Sequence, residues 1–144
     1  MTAERAADDE VHVLVGIIED AEGRVLVNQR RPGTHMAGYW EFPGGKRSHG
    51  EGRREALDRE LAEELGIEVQ DATPLLELSH TYPEKRVRLD VWVVVRYAGE
   101  PRGLEGQPLK WVPVDELLEV GILPADAPIV HAIRERRRAM IDDV

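Results

Sequence analysis

Three glutamates stand close together in a segment whose pattern predicts a helix: Glu60, Glu63 and Glu64. At about 100° per residue, their side chains fall within roughly a 100° arc of the helix surface. Carboxylate oxygens are the ligands that Mg²⁺ and Mn²⁺ prefer in proteins. Like charges four residues apart mildly destabilise a helix, so folding does not require this cluster. The spacing indicates a divalent metal site, and a solvated acidic surface is the alternative interpretation.

The segment that carries these glutamates has a leucine at every fourth position: Leu57, Leu61 and Leu65. This apolar stripe predicts a helix over residues 53–65 that packs on the core and places the carboxylates beside the packed face. Gly66 is a favourable residue just past a helix end. Arg59 lies on the flank of the cluster, one turn before Glu63. We expect it to orient that carboxylate without displacing a metal ion.

The rest of the chain mixes predicted strands with predicted helices. Strands are expected over 12–18, 24–30, 40–42, 69–80, 87–97 and 109–112, and further helices over 114–120 and 127–141. The first two strands are expected to pair as a hairpin, and strand 87–97 to alternate apolar with polar residues. This order predicts an α/β (α+β) fold with a mixed sheet sandwiched between helices. The 144 residues suit one domain, 1–144, with residues 1–10 as a disordered tail.

Composition narrows the classes of partner. The net charge of −9 disfavours a stable complex with nucleic acid, although a bound cation would still admit one small anion. The chain contains no cysteine, which excludes disulfides and thiolate metal sites and fits a reducing cytoplasm. No apolar run approaches the ~18–20 residues needed to cross a membrane. We therefore expect a cytoplasmic protein, monomer or dimer, that binds a small molecule.

The spacing around the glutamates resembles a known family signature. Gly45 is followed after five residues by Glu51, and after seven more by the run Arg59-Glu60-Leu61-Ala62-Glu63-Glu64-Leu65-Gly66-Ile67. This pattern resembles the signature of the Nudix hydrolases, with every fixed position filled. Residues 15–18, 28–31, 35–46, 105–108 and 124–128 look like the MutT branch of that family. The resemblance implies an α/β/α sandwich with a loop–helix–loop catalytic element, and hydrolysis of 8-oxo-dGTP to 8-oxo-dGMP and pyrophosphate.

The resemblance also implies a metal site. The ligands for Mg²⁺, with Mn²⁺ as a substitute, would be the Gly44 carbonyl and four carboxylates: Glu60, Glu63, Glu64 and Glu105. The proton acceptor in the reaction would be Glu60, with Glu105 as the alternative. Arg59 belongs to the same catalytic set. We expect Glu51 to support the loop or a second metal ion rather than the first.

Substrate contacts follow from the same resemblance. Phosphate contacts would come from Arg30, Lys46 and Arg47, and base contacts from Arg31, Phe42, Tyr82, Lys85 and Asp126. Tyr82 and Lys85 stand where the MutT pattern has phenylalanine and arginine. Asp126 stands where that pattern has asparagine, whose amide both donates and accepts hydrogen bonds, whereas an ionised aspartate only accepts. The alternatives are that Phe42 belongs to the core and that Asp126 caps the last helix.

Other functions remain open at this point. One is a Nudix hydrolase for another nucleotide, such as a dCTP analogue, ADP-ribose or a dinucleoside polyphosphate. The other is a Nudix-like domain that binds nucleotide without cleaving it. Such domains typically lose glutamates of the signature, whereas here all of them are present. We therefore favour an enzyme.

Overall fold

The computed structural model describes residues 10–142. The predicted tail, residues 1–10, lies outside this part of the chain except for Glu10, which begins the first strand. The strands are β1 Glu10–Ile18, β2 Arg24–Gln29, β3 Trp40–Glu41, β4 Gly44–Lys46, β5 Glu68–Thr81, β6 Arg86–Ala98 and β7 Leu109–Pro113. The helices are α1 Arg53–Leu65 and α2 Ala127–Asp142, with two short 3₁₀ helices at Val114–Glu119 and Pro124–Asp126. Neither α-helix is long and apolar enough to cross a membrane.

The strands form two sheets. A four-stranded mixed sheet has the order β4-β1-β6-β5, in which β1 runs parallel to β6 and the other neighbours are antiparallel. A three-stranded antiparallel sheet has the order β3-β2-β7. The predicted hairpin between the first two strands is wrong, because β2 pairs with β3 and β7 and meets the end of β1 at the single bridge Glu19↔Val25. Since Val25 and Leu26 are both buried, β2 is covered on both faces and separates from β1.

The mixed sheet has a packed core on each face. Leu14 of β1 and Trp92 of β6 pack in one cluster with the leucines of α1. Val15 and Val91, the neighbouring residues on the same strands, pack in a second cluster that includes α2. Successive side chains of a strand point to opposite faces, so the sheet lies between the two helices. The predicted sandwich around a mixed sheet is therefore confirmed.

Strand β6 does not show the predicted alternation. Val91, Val93 and the residues around them are buried, whereas Val95 is 53% exposed. Asp90, expected on a polar face, is fully buried and accepts hydrogen bonds from Arg53, His12 and Trp92. A strand covered on both faces has no solvated side in its centre, so polarity there must be satisfied by partners. The alternation pattern fails for that reason.

The sequence predicts the bounds of α1 better than it predicts the later helical segments. Helix α1 has the predicted bounds and ends at Gly66, whose φ of 72° is left-handed and favours glycine. The predicted helix over 114–120 is a 3₁₀ helix, Val114–Glu119. Asp126 is not the cap of the last helix. A cap residue has an extended backbone, whereas Asp126 lies in a 3₁₀ turn that continues directly into α2.

Candidate active site

Helix α1 lays its acidic side chains against the turn that precedes it. The stripe Leu57, Leu61 and Leu65 is fully buried and sets the rotation of the helix. As a result Glu64 is 8% exposed, Glu60 is half-buried and Glu63 is exposed. The Gly44 N–H lies 3.4 Å from Oε2 of Glu64. A Cβ on Gly45 would overlap the Glu60 carboxylate, so a larger residue at this position would displace the end of the Glu60 side chain.

Arg59 holds several of these carboxylates at once. Its guanidinium donates to both oxygens of Glu51 at 2.5 and 3.0 Å, to Glu60 at 2.9 Å and to Glu63 at 3.2 Å. These bonds from Arg59, helped by the Ser48 N–H, lower the pKa of Glu51 to about 2. Arg59 was expected to orient Glu63 alone. In the structure it also holds Glu60, one of the proposed metal ligands.

The pKa of Glu64 is shifted in the opposite direction, upward rather than downward. Burial, together with the nearby charges of Glu105, Glu41 and Glu60, raises the pKa of Glu64 to about 8, against the smaller effect of the Gly44 N–H. The shift means that burial first, and the neighbouring carboxylates second, disfavour the ionised form of Glu64. A cation placed among these groups would favour that ionised form.

The donor set fits a hard divalent cation, although its side chains are not drawn together around one point. Within residues 10–142, no three acidic or histidine side chains converge on a common position where an ion would sit. Arg59 pairs with Glu60 and Glu63. Carboxylates on one helical turn, including the buried Glu64, match the ligand chemistry of Mg²⁺. Glu60 and Glu63 would have to turn away from Arg59 to bind such an ion.

A buried glutamine connects the Glu105 loop to the end of α1. Gln107 is 7% exposed; its Nε2 donates to the Glu64 carbonyl at 3.1 Å, and its Oε1 accepts from the Glu105 N–H at 2.9 Å. Arg31 donates to the Glu105 carbonyl at 2.9 Å from the other side. Sequence reasoning missed this role of Gln107, and the only signal for it was the Glu-Gly-Gln-Pro run. The glutamine positions the backbone that carries the Glu105 carboxylate.

A cavity of about 150 Å³ opens beside this loop. Its lining includes Asn28, Arg30, Arg31, Thr34, Glu41 and Gln107. Arg30, expected to contact phosphate, instead pairs with Glu41 at 3.0 Å and donates to the His35 carbonyl at 2.6 Å. Glu41 and Asn28 were not among the predicted site residues. They come together because β2 and β3 pair with these two residues directly opposite each other.

Asp126 lies close to this cavity and interacts with the Arg30–Glu41 pair. It is 7% exposed, and burial followed by the charge of Glu41 raises its pKa to about 7. The Phe42 N–H bonds to its carboxylate and acts against that shift. Burial also raises the pKa of Glu41, which Arg30 opposes. Near neutral pH, Asp126 therefore populates both its protonated form and its ionised form.

Comparison with known proteins decides the family. Residues 14–132 match the family model described as the NUDIX domain. The chain belongs to the Nudix family. It is 36% identical over 124 residues to an Escherichia coli K12 8-oxo-dGTP diphosphatase, covering 86% of this chain and 96% of that protein. It is also 36% identical over 129 residues to a CTP pyrophosphohydrolase of the same organism, covering 90% and 95%.

Solved structures agree with this assignment. The solution structure of the Escherichia coli ORF135 protein is similar with a TM-score of 0.82 at 35% identity, covering 91% of this chain and 93% of that one. The recognition of a Nudix hydrolase resembling the MutT branch is thus confirmed, and the chain is an enzyme of that family.

The remaining predicted substrate contacts of this Nudix chain lie outside the lining of the cavity. Phe42 is 4% exposed and packs in the core that includes α2, as its alternative interpretation required. Lys46 ends β4 with an exposed side chain, and its carbonyl accepts a hydrogen bond from Arg59. Tyr82 and Lys85 lie in the exposed turn between β5 and β6. The Tyr82 N–H donates a hydrogen bond to the Lys85 carbonyl at 2.8 Å. In the part of the chain that the structure describes, neither belongs to the lining of the cavity.

Proposed function

We propose that this Nudix enzyme is a Mg²⁺-dependent nucleoside triphosphate pyrophosphohydrolase that converts 8-oxo-dGTP to 8-oxo-dGMP and pyrophosphate. It would keep oxidised guanine out of DNA by clearing the cytoplasmic nucleotide pool. The observation that carries the proposal is the acidic side of α1, where the buried Glu64 interacts with the charges of Glu60 and Glu105 close to a cavity of about 150 Å³. The name and 36% identity of the 8-oxo-dGTP diphosphatase relative support the choice of substrate.

The proposed ligand set is the Gly44 carbonyl with Glu60, Glu63, Glu64 and Glu105. When bound there, Mg²⁺ or its substitute Mn²⁺ neutralises phosphate charge and makes water more acidic. Glu60 accepts the proton of the water that attacks the β-phosphorus, and Glu105 is the alternative acceptor. Arg59 holds Glu60 at 2.9 Å and keeps it beside Gly45 until the ligands assemble.

Lys46 and Arg47, both exposed at the end of β4, would contact the phosphates.

Asp126 supplies the argument for a guanine base. With a pKa of about 7, a large share of its carboxyl groups carry a proton at neutral pH. A protonated carboxyl both donates and accepts, so it reproduces the hydrogen-bonding capacity of the asparagine in the MutT pattern. This form would bind the edge of 8-oxoguanine, with Arg31 of the cavity lining at its side.

A second candidate substrate is CTP, because the pyrophosphohydrolase relative with that name is equally similar. Its favouring observation is the pair of carboxyl groups at the half-buried Glu41 and the buried Asp126, which become two acceptors when ionised. Two acceptors suit the amino group of cytosine. The two substrates therefore differ in the protonation state that they select at Asp126.

A panel of nucleotides with Mg²⁺, compared by kcat/KM, tests the proposal. We expect 8-oxo-dGTP to exceed dGTP by at least about tenfold, which corresponds to ~1.4 kcal/mol. Product analysis in ¹⁸O-water would then place the label in the product that carries the attacked phosphorus. A preference for CTP over both guanine nucleotides would replace the first candidate with the second. Absence of turnover on every triphosphate would contradict the proposed reaction itself.

A further inference from the structure

Asn28 carries a buried hydrogen-bond acceptor that the protein itself does not use. The residue lies near the end of β2, lines the cavity and is 6% exposed. Within residues 10–142, its Oδ1 has no hydrogen-bond partner. Because an unpaired buried acceptor costs free energy, such groups in native proteins call for an explanation. A ligand that enters the cavity and donates to Oδ1 provides one.

The other polar groups around Asn28 are already engaged. Gln107 uses both ends of its amide, one on the Glu64 carbonyl and the other on the Glu105 N–H. The Thr34 hydroxyl donates to the Arg31 carbonyl at 2.6 Å. Asn28 therefore stands out in this lining, because its buried acceptor has no partner among residues 10–142.

The charges around the cavity decide what kind of ligand group fits. Glu41 lies directly opposite Asn28 in the strand register, so the two side chains share one face of the sheet. Of the two arginines in the lining, Arg30 is committed to Glu41 and to the His35 carbonyl, and Arg31 donates to the Glu105 carbonyl. A phosphate would meet a carboxylate here with its counter-charge already used. An uncharged group with N–H donors is favoured instead, and an exocyclic amino group can donate to Oδ1 and to a carboxylate together.

We propose that Asn28 is a specificity-determining residue whose Oδ1 accepts a hydrogen bond from the exocyclic amino group of the substrate base. The chemical class is a nucleotide of guanine or cytosine, as opposed to hypoxanthine or uracil, which lack that group. This inference rests on the proposed function, since it requires a nucleotide base in the cavity. Rejection of the amine-free base arises because Oδ1 then stays buried and unpaired.

Kinetics with matched substrate pairs test the proposal. The pairs are 8-oxo-dGTP with 8-oxo-dITP, and CTP with UTP, which differ at the position of the amino group. We expect the wild type to favour the amine-bearing member of its preferred pair by at least about tenfold in kcat/KM. Asn28→Leu removes the acceptor at similar size and should bring that ratio close to one, mainly by slowing the amine-bearing substrate. Asn28→Asp keeps an acceptor and should retain the preference.

Two further variants make the kinetic test specific. Gln70→Leu removes an exposed amide on β5 and should leave the ratio unchanged. Asn28→Ser serves if the leucine variant does not fold, because its shorter hydroxyl cannot reach the same position, and its ratio should also fall. An unchanged ratio in the Asn28 variants would overturn the proposal. Equal slowing of both members of a pair would also overturn it, because that result indicates a structural role.

A binding measurement separates this inference from the proposed function. Asn28 is the only asparagine of the chain, so selective ¹⁵N-asparagine labelling gives one pair of side-chain amide signals. We expect dGMP or CMP to shift these signals, and dIMP or UMP to shift them at least about tenfold more weakly at equal concentration. If this discrimination holds while no triphosphate is cleaved, the proposed function fails and the inference stands. If turnover is normal but the two classes shift the signals alike, the inference alone fails.

Discussion

The acidic side of α1 and the cavity between β2 and β3 both gather carboxylates, but they stabilise them in opposite ways. On α1, Arg59 bridges Glu51, Glu60 and Glu63, all of which retain some contact with solvent. At the cavity, Asp126 is buried; of the two arginines in the cavity lining, Arg30 is engaged by Glu41 and Arg31 donates to the Glu105 carbonyl. The first region balances its carboxylates with an arginine. The second buries a carboxyl group, which raises its pKa.

The pKa values express this difference. Hydrogen bonds from Arg59 lower the pKa of Glu51 to about 2, whereas burial raises the pKa of Asp126 to about 7. Glu64 belongs to α1 but is buried like the cavity residue, and its pKa rises to about 8. The environment, and not the residue type, therefore decides in which direction the pKa of a carboxyl group shifts. Substitutions in each region should produce different kinds of defect.

The largest effect is expected in the acidic region. Glu60→Gln removes the proposed proton acceptor and a metal ligand, so we expect kcat to fall by about 10²–10⁴. Unfolding experiments should show little loss of stability, because the change also removes one of the like charges that surround Glu64. Glu68→Gln, at an exposed position of β5, is the matched control and should retain full activity. A decrease in kcat of less than tenfold for Glu60→Gln would remove this residue from its assigned role.

The second prediction addresses the cavity through stability against pH. The folded chain keeps a proton on Asp126 up to about pH 7, whereas the unfolded chain loses it near the ordinary aspartate pKa of 3.8. The folded state thus binds more protons in this window, and its stability falls as pH rises through it. Asp126→Asn removes this dependence, so between pH 5 and pH 8 the wild type should lose up to about 3 kcal/mol relative to the variant.

Urea unfolding of both proteins at several pH values measures this difference. Asp115→Asn, at an exposed position of the first 3₁₀ helix, is the control and should follow the wild type. Parallel curves for wild type and Asp126→Asn would mean that Asp126 is ionised throughout the range. That result would remove the contrast between the two regions.

The two regions also differ in how far the sequence predicts them. Helix α1 was predicted to the residue, because its leucine spacing, glutamate spacing and terminal glycine are all local. Asn28, Glu41 and Gln107 were missed as site residues, because each is an isolated polar residue until strand pairing and a loop bring them together. The β6 alternation failed for a related reason, since Asp90 finds its partners on other elements. Local periodicity predicts helices and strands, but it does not predict contacts between segments that are distant in the sequence.

The third prediction concerns the link between the two regions. Gln107→Leu leaves the Glu105 N–H and the Glu64 carbonyl without their side-chain partner. We expect a loss of stability of about 1–3 kcal/mol. Because the glutamine positions the Glu105 loop, kcat should fall about tenfold while KM changes less. Gln70→Leu, which removes an exposed amide, controls for the chemistry of the substitution. A rise in KM of about tenfold with an unchanged kcat would assign Gln107 to substrate binding and contradict the positioning role.

The smallest effect is expected at Arg31, whose exposed side chain contacts the Glu105 loop and also lines the cavity. Its guanidinium donates to the Glu105 carbonyl at 2.9 Å while it lines the cavity. A single exposed hydrogen bond contributes about 0.5–1.5 kcal/mol, so Arg31→Ala should lower kcat/KM by about threefold to tenfold. Arg31→Lys keeps the charge without the planar fork, and it separates attraction of the anionic substrate from the bond to the loop. If lysine restores activity at low salt and loses it as salt rises, Arg31 acts on the substrate by charge. If lysine is as impaired as alanine at every salt concentration, Arg31 acts through the Glu105 loop, and the cavity and the acidic helix are coupled through that bond.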